Sequence, residues 1–112
     1  MFKVVNIRTE AAHIYCGRAG RGVAGPLGNY TPARTALAYW IWFIQPAQLD
    51  YRARFYELCV KPHKSMPEVR LGCFCVPYPC HADALAAYAN ARLDGHTDAD
   101  ACAAVQALIE SL

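Results

Sequence analysis

Runs of β-branched and aromatic residues at 3–7 and 13–17 flank a polar link, Arg8-Thr9-Glu10-Ala11-Ala12. This pattern predicts two short strands joined as a hairpin. Downstream the apolar period lengthens to that of a helix. Thr31-Pro32 supplies an N-cap followed by proline at the first helical position. The helix it opens places Ala33, Leu37, Trp40, Ile41 and Ile44 on one face, with Ala38, Trp42 and Phe43 opposite. Apolar residues all round predict burial or a partner, and core packing is the commoner use of Tyr39, Trp40, Trp42 and Phe43. Pro46 ends this helix. A second, over about 47–60, is expected to face Leu49, Ala53, Tyr56 and Val60 inward and Arg52, Arg54 and Glu57 to solvent. After a turn-rich stretch, residues 69–76 read as a strand. A third helix starts near Cys80 and stops at Asp94-Gly95, with Ala82, Leu85, Ala86, Ala89 and Leu93 as its buried stripe. Thr97-Asp98-Ala99-Asp100 resembles a capping box, and Ala101, Val105, Leu108, Ile109 and Leu112 make the last helix amphipathic.

The order strand, strand, helix, helix, strand, helix, helix specifies an α/β domain: a small mixed sheet of about three strands packed by about four helices, a Rossmann-like fragment. The segment between the second and third strands is long enough for a right-handed crossover, which makes those two strands parallel. Their carboxyl ends then share one edge, where ligands of open α/β sheets bind.

Composition narrows the class. At 112 residues and 55% hydrophobic, the chain is expected to form one domain, 1–112, with its own core and no covalent staples. A net charge of +2 and an 18% charged fraction give no footprint for duplex nucleic acid. No apolar run approaches the ~18 residues of a membrane helix, and no signal-peptide core is present. A cytoplasmic location is expected, with the six cysteines as reduced thiols.

Two segments carry candidate chemistry. Five of the seven glycines fall in 17–28, together with Arg18 and Arg21. Glycines let backbone amides approach an anion, and Arg18 can bind phosphate or carboxylate bidentately. Gly28 and Asn29 would shape such a loop. No GxGxxG or Walker pattern is present, so a surface loop with solvated arginines fits the same residues. The second segment is Cys73-Phe74-Cys75-Val76-Pro77-Tyr78-Pro79-Cys80-His81. Cys73, Cys75, Cys80 and His81 form a ligand set suited to tetrahedral zinc, though adjacent Cys80 and His81 point apart and paired CxxC knuckles are absent. Alternatively, Cys80 at a helix start is a reactive thiol with His81 as acid, base or orienting group, and Asp83 caps the helix. Cys16, Cys59 and Cys102 read as small buried hydrophobes.

Val4-Val5-Asn6-Ile7-Arg8, His13-Ile14-Tyr15-Cys16-Gly17-Arg18, Gly25-Pro26-Leu27-Gly28-Asn29, Leu71-Gly72-Cys73-Phe74-Cys75 and Pro77-Tyr78-Pro79-Cys80-His81-Ala82-Asp83-Ala84-Leu85 resemble the bacterial and bacteriophage family known as domain of unknown function 4326. In that family proline commonly follows the glycine-asparagine pair directly and glycine follows the histidine; Tyr30 and Ala82 depart from this. The resemblance implies a phage or bacterial source and no established activity.

The sequence thus points to a domain binding a phosphate-bearing or nucleotide-like ligand between Arg18, Gly28 and Asn29 on one side and Cys80-His81 on the other, with enzymatic activity left open. The alternative is a phage accessory module whose Cys73, Cys75, Cys80 and His81 cluster, with or without zinc, is structural. Its apolar helix would then bind a host protein or a second copy of the chain.

Overall fold

The computed structural model describes residues 1–16, 35–73 and 78–112. Strands β1 (Phe2–Asn6), β2 (Ile14–Tyr15) and β3 (Val69–Cys73) form one sheet in the order β1-β3-β2. Both outer strands run parallel to β3, with Phe2 opposite Val69, Asn6 opposite Cys73, and Ile14 opposite Leu71. The expected hairpin between the first two strands is therefore replaced by a crossing, and the sheet is parallel rather than mixed.

The physical reason lies in residues 7–12. Asn6 starts a tight turn: its side-chain oxygen accepts the Arg8 amide at 2.9 Å, and its carbonyl accepts the amides of Thr9 and Glu10. The chain then passes over the face of β3, and His13 resumes pairing by donating its amide to the Arg70 carbonyl. Parallel neighbours normally need a dozen or more connecting residues. Here β2 begins only two positions back along β3, so the link spans about 7 Å along the strands and two strand spacings, about 10 Å, across them. Seven residues suffice. The crossing fits because of Gly72, where an added Cβ would lie 2.3 Å from Ile7 Cγ2 and 2.6 Å from Ala12 Cβ. Val5 and Tyr15, beside Gly72 on the same face, are buried as well.

On the opposite face Phe2, Ile14, Val69, Leu71 and Cys73 join the helices in one core. Helix α1 (Ala36–Phe43) buries Tyr39, Trp40 and Phe43, so three of the four helix aromatics are core residues and Trp42 packs against them. Its N-cap is Thr35, whose hydroxyl accepts the Ala38 amide, four residues beyond the expected Thr31, which lies outside the described residues. Leu37 and Ile41 on its other side are exposed. Next, a continuous helical stretch contains a 3-10 turn (Pro46–Gln48), α2 (Leu49–Phe55), a π turn (Tyr56–Val60) and a second 3-10 turn (Lys61–His63). Its inward face is Arg52, Phe55, Cys59 and Val60; Val60 inward and Arg54 and Glu57 outward are as expected, whereas Arg52 is buried and Leu49 and Ala53 are exposed, contrary to expectation.

The burial of Arg52 has a clear cause in its partners. The residue is only 4% exposed. Its Nη1 donates to the carbonyls of Phe43 at 2.7 Å and Gln45 at 2.8 Å, and its Nε and Nη2 donate to the two carboxylate oxygens of Asp98 at 2.9 and 3.1 Å. One guanidinium thus joins the end of α1 to the first residue of α4 (Asp98–Glu110), and four hydrogen bonds make its burial tolerable. The Tyr88 hydroxyl donates to the same carboxylate at 2.6 Å, and Arg92 lies over the Tyr56 ring at 4.1 Å.

Helix α3 (His81–Leu93) packs on β1 and β3 and against α4. Asn90 on α3 extends the outer edge of β1, accepting the Phe2 amide at 2.6 Å and donating to the Phe2 carbonyl at 2.9 Å. The helix stops at Asp94, and Gly95 adopts φ +90°, the left-handed conformation that favours glycine. Thr97 then caps α4 by accepting the Asp100 amide. Among the described residues no helix is long and apolar enough to cross a membrane.

Two stability tests follow from these contacts. Gly72→Ala should lower the urea midpoint, losing about 1–3 kcal/mol through overpacking against Ile7 and Ala12; an unchanged midpoint would show that the crossing does not fix the sheet. Arg52→Met should lose about 3–5 kcal/mol by leaving the Asp98 carboxylate with Tyr88 as its remaining side-chain donor and the carbonyls of Phe43 and Gln45 without the guanidinium. Burial works to raise the Asp98 pKa, but hydrogen bonds from Arg52 and Tyr88 outweigh it and hold the carboxyl below its ordinary 3.8. The Asp98 contribution is therefore complete above pH 3.8 and lost as pH falls through the lower folded value. That acid-side loss should be reduced in Arg52→Met, as read by chemical denaturation across pH 2–5.

Candidate functional site

The parallel register sets residue types side by side at the carboxyl edge of the sheet. Asn6 at the end of β1 is opposite Cys73 at the end of β3. Cys16 follows Tyr15, the partner of Gly72, and donates its amide to the Gly72 carbonyl at 2.8 Å, so it stands beside Cys73 on the other flank. Three strand ends thus present Asn6, Cys73 and Cys16 as a row.

The start of α3 meets this row. Cys80 is its N-cap, with extended backbone, and the Cys80 amide donates to the Asp83 carboxylate at 2.9 Å. Burial raises the Asp83 pKa, and the Cys80 amide acts in the opposite direction by stabilising the anion. Asp83 thus holds the helix start in place, the capping role expected of it. Trp40 reaches across from α1, and its indole Nε1 donates to the Cys80 carbonyl at 2.9 Å. Held from both sides, Cys80 places its sulfur 2.6 Å from that of Cys73, and both residues are buried. His81, the first residue of α3, is half-buried with its ring edge-on to Tyr39, centroids 5.0 Å apart. The Tyr39 hydroxyl is 2.8 Å from that of Tyr51, whose pKa is driven upward chiefly by burial.

Of the residues singled out from sequence, Cys73 and Cys80 come together, and His81 follows Cys80 with its ring against Tyr39. Arg18, Gly28, Asn29 and Cys75 lie outside the described residues. Two thiolates on one tetrahedral zinc would be about 3.8 Å apart given a zinc–sulfur distance near 2.3 Å. The Cys73–Cys80 separation is shorter than this, and among the described residues no group of three or more His, Cys, Asp or Glu side chains is placed to hold a metal. Cys75, one of the four expected zinc ligands, is not among the residues searched.

Cys16 and Cys59 fill the core behind the pair, as expected of small hydrophobes. Burial pushes the Cys59 thiol up to about 11. It also raises that of Cys16, where the neighbouring Cys59 and Cys73 add to the effect. Sequence reasoning missed Trp40 as the clamp on Cys80 and Asn6 as a member of the edge row. Neither has a local signal, because each acquires its role through a strand or helix distant in the chain.

Grooves on the described surface lie away from this edge. One of about 490 Å³ is lined by Lys61, Lys64 and Arg92 with Tyr56 and Ser65. Another, of about 680 Å³, lies between α3 and α4 over Ala87, Ala91, Ala103 and Ala104. Neither includes Cys73, Cys80 or His81. No family model, curated protein or solved structure matches the chain.

The environments predict an order of thiol reactivity. Cys102 is partly exposed, so iodoacetamide at neutral pH should label it well before Cys16 and Cys59, as followed by peptide mass spectrometry. Labelling of Cys59 at the rate of Cys102 would contradict the burial assigned to it.

Proposed function

We propose that this chain is a small α/β domain that holds a phosphate-bearing or nucleotide-like molecule at the carboxyl edge of its parallel sheet, between the loop carrying Arg18, Gly28 and Asn29 and the Cys80-His81 turn. One observation supports the reading most: Asn6, Cys73 and Cys16 stand side by side at one edge, with Cys73 against Cys80 at the start of α3. Gly17 and Arg18 directly follow Cys16 in sequence. Carboxyl edges of parallel strands gather the loops that bind ligands in open α/β folds.

In this reading Arg18 neutralises the anion, Gly28 and Asn29 shape the loop around it, and His81 lies at the rim as a hydrogen-bonding or proton-transferring group. Any covalent chemistry falls to Cys80. The resemblance to domain of unknown function 4326 belongs to the same proposal, as do a phage or bacterial source and a cytoplasmic setting.

A thermal-shift series with nucleoside phosphates and sugar phosphates tests the proposal. At ligand concentrations near 100 Kd the gain is about 2.7 kcal/mol, which at about 4 °C per kcal/mol for a domain of this size raises Tm by about 11 °C. The parent should respond and Arg18→Ala should not. Absence of any response in the parent would remove the proposal. A response that survives Arg18→Ala but is lost in Lys64→Ala would move the ligand to the groove lined by Lys61, Lys64 and Arg92.

A further inference from the structure

The closest approach between cysteines among the described residues is the 2.6 Å between Cys73 Sγ and Cys80 Sγ, well inside van der Waals contact and longer than the ~2.05 Å of a sulfur–sulfur bond. Both backbones are fixed independently of that contact. Cys73 is held by its register with Asn6 and by the Ile7 amide, which donates to its carbonyl at 3.1 Å. Cys80 is held by Trp40 and Asp83. The fold has therefore already ordered the two sulfurs, and joining them closes only the short segment between the end of β3 and the start of α3.

We infer that Cys73 and Cys80 are a modification site: a dithiol that a small peroxide converts to an intramolecular disulfide. One sulfur attacks a peroxide oxygen and the O–O bond breaks, giving a sulfenic acid and one water. The second sulfur then attacks the sulfenic sulfur, the S–O bond breaks, and a second water leaves with the remaining thiol hydrogen. Overall two thiols and one hydrogen peroxide yield one disulfide and two waters, the sulfurs losing two electrons and the peroxide gaining them. Burial of both residues selects the oxidant class, since hydrogen peroxide is small enough to reach sulfurs that a tripeptide disulfide cannot approach without local opening. Cys16 and Cys59 are bystanders packed behind the pair. The inference concerns the state of the edge and does not depend on which ligand binds there.

The test uses the unmodified chain. After equimolar hydrogen peroxide, quenching, unfolding and alkylation, trypsin releases residues 71–92, which contain three cysteines: Cys73, Cys75 and Cys80. A Cys73–Cys80 bond leaves one of the three to alkylate, and fragment ions should place the label on Cys75; dithiothreitol before alkylation should restore all three. In Cys75→Ser the oxidised peptide should carry no label, and dithiothreitol should restore two. Three labels after oxidation, a bond that includes Cys75, Cys16 or Cys59, or conversion to sulfinic acid would each overturn the assignment. A nucleotide response in the thermal-shift series is unaffected by any of these outcomes, so the two readings fail separately.

Discussion

The rest of the architecture depends on one close approach, the passage of residues 7–12 over Gly72. With no side chain at position 72, the connection lies flat on β3 and delivers β2 to its far side in the same direction as β1. Parallel direction in turn sends all three strand ends to one edge. Asn6, Cys73 and Cys16 are neighbours for that reason, and the helices are left to cover the opposite face alone. A hairpin at the same place would have turned the end of β2 away from Cys73.

What could be read from the sequence was what local chemistry encodes. Asp94-Gly95 and Thr97 mark where α3 ends and α4 begins, since a left-handed glycine and an N-cap hydroxyl act within a few residues of themselves. Cys80 was legible as a helix start, as was the parallel pairing of β2 with β3. The aromatic residues of α1 were legible as core by their bulk. The α/β class follows from the order of such segments.

What could not be read depends on partners far along the chain. A polar link between two short strands has the same composition whether it turns back or crosses, and the deciding residue, Gly72, lies in a third strand. Arg52 illustrates the same limit for burial. Its four acceptor contacts come from Phe43, Gln45 and Asp98, and without them a charged residue belongs at the surface. Arg52 is buried while Leu49 and Ala53 are exposed. At the candidate site, Cys73 and Cys80 were legible as members of one cysteine-histidine cluster, whereas their direct contact and the Trp40 hydrogen bond that fixes Cys80 were not. The positions carrying the anion-binding expectation, Arg18, Gly28 and Asn29, fall outside the described residues.

Asn90 has a consequence beyond the packing of α3. An outermost strand exposes peptide groups that can recruit a strand from another molecule, the usual beginning of edge-to-edge aggregation. By taking both the amide and the carbonyl of Phe2, the Asn90 carboxamide imitates a single residue of an adjoining strand. At the other end of β1 the Asn6 carbonyl is occupied by Thr9 and Glu10. The rim is thus closed to intruding chains at both extremities by groups that belong to the molecule itself.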